Sequence, residues 1–100
     1  MKLVNKELIE KIPKLYSQEN EEDPMVVAHF FNPCGQGDWW VIEGEQQSDR
    51  NWLFFGLVNL IYKELGYFSL MELESIQLPF GLKIERDLYW TPVKVSTLME

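Results

Sequence analysis

Three apolar runs punctuated by turn formers, MVVAHFFN, WWVIEGE and WLFFGLV, constrain this chain more than any other feature. β-branched and aromatic residues dominate each run, and Pro, Gly, Asn and Asp bound them, which is the signature of strands. In the first run Val26, Ala28 and Phe30 fall in one row and Val27, His29 and Phe31 in the other. Both rows are mainly apolar, so the strand belongs inside a sheet covered on both sides. The short connections PCGQGD and QQSDRN make residues Met25 to Val58 an antiparallel meander. Adjacent Trp39 and Trp40 must then face opposite layers, with Val41 and Glu43 following Trp39 and Ile42 following Trp40. One indole anchors the core; the other covers a helix or stays accessible as a docking surface. Gly56, inside the third run, admits a close backbone or marks a bulge.

Helix signals flank the meander. Asn5 caps a helix whose apolar stripe is Leu8, Ile12, Leu15 and Tyr16, and Pro13 kinks or ends it near Ile12. Ser69 and Glu72 form a capping box, with Phe68 and Leu73 as its hydrophobic staple, and predict a helix from about Leu70 to Gln77. NLIYKELG reads as one helical turn closed by Gly66. GLKIERDLYW alternates as a fourth strand, with Ile84, Leu88 and Trp90 in one row around Arg86, and TPVKVSTLME trails off as a loosely held extension. The expected fold is α+β: an antiparallel sheet of about four strands with two helices packed on it. Residues 1–100 form a single domain, a helix and acidic loop over 1–22 followed by a core over 23–92.

The net charge of −7 repels phosphate and disfavours direct binding to nucleic acid. It suits solubility, a basic protein partner, or imitation of nucleic acid. The acids concentrate in SQENEEDP, where Glu19, Glu21, Glu22 and Asp23 occupy four of eight positions. Such a segment is a solvated loop and a possible docking patch. With Trp39, Trp40, Glu43, Glu64, Arg86 and Asp87, these residues make up the candidate interface. Arg86 among apolar neighbours needs a partner, and Glu43 or Glu64 is expected to supply it bidentately. A carboxylate cleft of Glu43 and Glu85 with Arg86 is the enzymatic alternative.

Other chemistry has little material. His29 and Cys34 are the only soft ligands, too few for a zinc site, and neither lies in a nucleophile motif. No metal or cofactor is expected, and no catalytic residue stands out. One cysteine excludes an internal disulfide, the opening residues lack the apolar core of a leader, and no run reaches the length of a membrane span. A cytoplasmic protein of bacterial type, away from membranes, is the expectation.

DPMVVAHFFNP, DWWVIEGE, FFGLV, ELGYFSLMELESI and PFGLKIERDLYW, taken in order, resemble the successive blocks of domain of unknown function family 2958. The resemblance covers about Asp23 to Pro92 and is most specific at ELGYFSL and IERDL. His29 and the NLIYK segment depart from the family pattern. The resemblance implies a short protein of a bacterial mobile genetic element, such as a plasmid, phage or integrative element. Its implied role is an accessory or counter-defence factor whose carboxylates occupy a basic, nucleic-acid-binding surface on a protein partner.

Overall fold

The computed structural model describes residues 2–100. The chain runs α1 (Lys6–Lys11), β1 (Met25–Val26), β2 (Ala28–Phe31), β3 (Asp38–Gln46), β4 (Trp52–Asn59), β5 (Lys63–Ser69), α2 (Leu70–Ser75), β6 (Glu85–Arg86), β7 (Val93–Lys94) and α3 (Val95–Met99). Strands β2 to β6 form one antiparallel five-stranded sheet in the order β5-β4-β3-β2-β6, and β1 pairs with β7 in a separate ribbon. The architecture is α+β, with more strands than the alternation predicts and a third short helix.

The local signals form as their chemistry demands. Asn5 Oδ1 accepts from Leu8 N at 2.8 Å, and α1 stops at Ile12, ahead of Pro13. Ser69 Oγ accepts from Glu72 N at 3.2 Å, and α2 ends at Ser75 with Ile76 as its cap, two residues short of the predicted Gln77. Each cap satisfies an amide that the first turn leaves without a partner.

The first face of the sheet, the Trp39 side, carries the larger core. Phe30, Trp39, Val41 and Phe54 meet Leu8 of α1 and Leu73 of α2 there, with Phe68 and Ile84 at the margins. The Phe54 ring lies 5.8 Å from Phe30 and 5.4 Å from Phe68, in tilted aromatic contact. The second face, the Trp40 side, carries a smaller core of Val26, Trp40, Ile42, Leu57 and Val95.

Four expectations are corrected by tertiary geometry. The row through Val26, Ala28 and Phe30 is broken, because the strand is interrupted at Val27, whose amide bonds to Val41 O at 2.8 Å. Val26 therefore joins the second core while Ala28 and Phe30 stay in the first. Residues Lys63 to Ser69 are a strand, not a helical turn, because β4 offers them a seven-residue ladder from Asn59 back to Leu53. The Ile84–Trp90 row ends at Asp87, where the chain turns, so Ile84 enters the first core and Trp90 borders the second. The C-terminal segment is docked rather than loose. Asp23 accepts from Ser96 N at 3.0 Å and Ser96 Oγ at 2.6 Å, and Val95 N bonds to Pro24 O at 2.9 Å.

Gly56 meets both of its expected roles. It pairs with Val41, where the β3–β4 register slips, and a Cβ there would lie 1.8 Å from the carbonyl oxygen of Trp40. No side chain fits in that space.

Candidate functional site

The register slip on β3 builds the site. Val41 pairs with Gly56 and Glu43 with Phe55, which leaves Ile42 as the extra residue of a bulge. Glu43 is thereby moved from the Trp39 row, where strict alternation puts it, to the Trp40 face beside Phe55. Its residue is 3 % exposed, a buried carboxylate. Such a group needs hydrogen-bond donors, and the chain supplies backbone ones. Tyr16 N donates to Oε1 at 2.9 Å and Gln18 N to Oε2 at 2.7 Å. The two charge-assisted bonds hold the segment after α1 across the second face. Gly44 N adds a bond to Pro13 O at 2.9 Å. Tyr16 sits at φ 68°, a left-handed conformation that costs a bulky residue roughly 1–2 kcal/mol. The Glu43 bonds offset that cost.

The segment so held does not close over the sheet. Between it and the strands lies a groove of about 460 Å³, floored by Ile42, Phe55, Leu65 and Val95 and walled by Tyr16 and Tyr67. The exposed Glu19, Glu21 and Glu22 stand along its rim, and Met99 of α3 also lines it. Tyr67 packs on Phe55 at 5.0 Å between ring centres, yet it and Leu65 remain about half exposed, at 53 % and 48 %. The Tyr67 hydroxyl is held above its ordinary pKa. Desolvation by the groove is the main cause; the neighbouring Tyr16 hydroxyl and the Glu43 and Glu19 carboxylates add to it. A site that resists a phenolate has a negative field and an apolar lining together, the combination that favours a cation with a hydrocarbon stem.

The structure brings together Glu19, Glu21, Glu22 and Glu43 of the predicted interface and separates the rest. Asp23 is spent on Ser96, whose side-chain and backbone bonds lower its pKa. Trp39 and Trp40 are both buried, each in its own core, so neither offers an accessible ring. Glu64 pairs with Val58 and so projects from the first face, away from the groove. Arg86 pairs with Phe30 on that same face and its Nη1 donates to Leu3 O at 3.1 Å. The expected pair of Arg86 with Glu43 or Glu64 is not among the ion pairs of the described residues: both oxygens of Glu43 are engaged on the opposite face, and Glu64 lies on β5, at the other edge of the sheet from β6. The groove that Glu43 lines contains neither Glu85 nor Arg86, so the proposed catalytic cleft is not assembled.

His29 is a structural pillar. Nε2 lies 2.8 Å from Asp38 Oδ1 and Nδ1 3.3 Å from Asp87 Oδ2, while the ring stacks on Trp40 at 5.1 Å. This accounts for Asp87, which also accepts from Tyr89 N at 3.0 Å. Among the described residues no group of three or more His, Cys, Asp or Glu is placed to hold a metal ion, and Cys34 is an exposed free thiol. No helix among them is long and apolar enough to cross a membrane.

The model of one family, described as protein of unknown function (DUF2958), matches residues 3–99. The chain belongs to this family. The match extends beyond the blocks between Asp23 and Pro92, taking in α1, the acidic loop and all of α3. No curated protein and no solved structure gives a significant match.

Sequence reasoning missed Tyr16, Leu65 and Tyr67 as site residues. A signal existed for two of them: Leu65 and Tyr67 are two apart and flank a glycine, a strand-compatible spacing that the helical reading of NLIYKELG obscured.

Proposed function

We propose that this DUF2958 member is a non-enzymatic interaction protein whose acid-rimmed groove takes a basic segment of a protein partner. One observation carries the reading: an apolar, aromatic-walled groove is bordered by Glu19, Glu21 and Glu22 and underlain by the buried Glu43. A lysine or arginine can lay its alkyl stem on Ile42, Phe55 and Leu65, set its charge against the rim, and meet the faces of Tyr16 and Tyr67. Rim ion pairs in water are each worth only about 0–1 kcal/mol, so the floor supplies affinity and the rim supplies orientation and rate. The net charge of −7 adds long-range steering toward a basic surface and against nucleic acid.

This role suits the mobile-element context implied by the resemblance, in which a small cytoplasmic bacterial protein blocks or recruits a basic, nucleic-acid-binding host factor. The test is affinity capture from host lysate with the wild type and with a Glu19→Gln, Glu21→Gln, Glu22→Gln variant, at low and raised salt. A partner held by the wild type, lost by the variant and released by salt supports the reading. Equal retention by both proteins, or indifference to salt, rejects it.

A further inference from the structure

Strand β5 ends the sheet, and among the described residues no further strand pairs with its outer side. The opposite edge, β6, is only two residues long and is cut off by the turn at Asp87, which blunts it as a pairing template. β5 is seven residues long. Lys63 and Glu64 guard its hairpin end, and Ser69 leads straight into α2. Between them Leu65, Gly66 and Tyr67 carry no charge, no proline and no bulge. Among the described residues, no hydrogen bond from any element other than β4 reaches the backbone of Glu64 to Phe68. A strand added there would find a row of amides and carbonyls already aligned.

This edge is continuous with the groove. Leu65 and Tyr67 lie on the edge strand and line the groove at once. Every second side chain of an added strand would fall beside them, on the second face, below the acidic rim. The intervening side chains would fall beside Glu64 and Gly66 on the other face. The exposed acids at both places, Glu19 and Glu64, call for cations on the incoming strand, while Lys63, on the second face at the hairpin end, is turned onto Leu98 O and the Trp40 ring. A second copy of this chain would bring another net −7 to the same place, which opposes self-pairing.

We propose that the partner segment binds as an extended sixth strand paired to β5, with basic side chains directed to the groove. The inference rests on the groove reading above and specifies its binding mode: backbone pairing supplies the contact, and alternate side chains read the groove.

The probe is a synthetic peptide of alternating lysine and valine, about six to eight residues long, the usual length of a strand. Two derivatives carry N-methyl groups on alternate residues, one set on each edge. Titration calorimetry should show that one methylated form loses binding at least tenfold and the other keeps it. Amide exchange at Leu65 to Tyr67 should slow at least tenfold in the complex. If both methylated forms bind like the parent and those amides stay unprotected, strand addition is wrong while the groove reading survives. If the parent peptide fails to bind, or binds the triple Gln variant equally well, the groove reading falls and takes this inference with it. Sedimentation of the protein alone supplies a further arm. A dimer with protected β5 amides would assign the edge to a second copy and overturn the proposal.

Discussion

The two faces of the sheet are made of similar residues and end in different states. On the first, α1 and α2 seat Leu8 and Leu73 on Phe30, Val41 and Phe54, and the middle of the layer is sealed. On the second, a two-residue ribbon and the five-residue α3 seat Val26, Val95 and Leu98 on the sheet, with Trp90 beside them. The remaining cover is the acidic loop, whose carboxylates cannot be brought into an apolar layer without partners. It stands off from the strands, and the groove is the space that results. Coverage, rather than strand composition, separates a core from a binding surface here.

The largest test of that contrast deletes a ring. Phe54→Ala should cost about 3–5 kcal/mol, a cavity in a closed layer, whereas Leu98→Ala on the second face should cost about 1 kcal/mol because the site is partly solvated. Chemical denaturation measures both, and equal losses would show that the second face is as closed as the first. Glu43→Ala comes next. Two amides lose an ionised acceptor, which should cost about 1.5–3 kcal/mol. Exchange should accelerate at Tyr16 and Gln18 but not in α2; unchanged protection at those two amides would mean the loop is held by something else.

A smaller effect follows from Asp23. Its pKa is lowered by the Ser96 bonds, so its contribution to docking α3 is complete above the ordinary value of 3.8. That contribution is lost as pH falls through the lowered folded value. Exchange at Ser96 should rise in that acid window in the wild type and show no such step in Asp23→Asn. The smallest change in stability belongs to the Glu19, Glu21 and Glu22 to Gln variant, within about ±0.5 kcal/mol. In it the Tyr67 hydroxyl should still titrate above the ordinary tyrosine value, because desolvation outweighs the Glu19 charge. A return to the ordinary value, read by phenolate absorbance, would assign the shift to the rim instead.

The elements legible in the chain were those whose signals are local. Asn5 and Ser69 cap helices through bonds spanning three residues, and Pro13 ends α1 by its own ring. The apolar runs of β2, β3 and β4 pair as adjacent strands because short turns allow nothing else. Of the candidate site, the acidic loop was legible from composition alone. The strand nature of Lys63–Ser69 was not, because Lys, Glu, Leu and Gly read equally well as a helix end until β4 offers a ladder.

By itself, then, the sequence determined the caps, the meander, the negative charge and the family. Only the tertiary structure decided which face Glu43 takes, where Arg86 and Asp23 spend their hydrogen bonds, and that Leu65 and Tyr67 stand beside the acids. The reason is periodicity. Alternation assigns faces only while the register is unbroken, and one extra residue at Ile42 transfers Glu43 across the sheet. That bulge is settled by pairing with Gly56 and Phe55 on β4, a partner strand whose position no local stretch of β3 encodes.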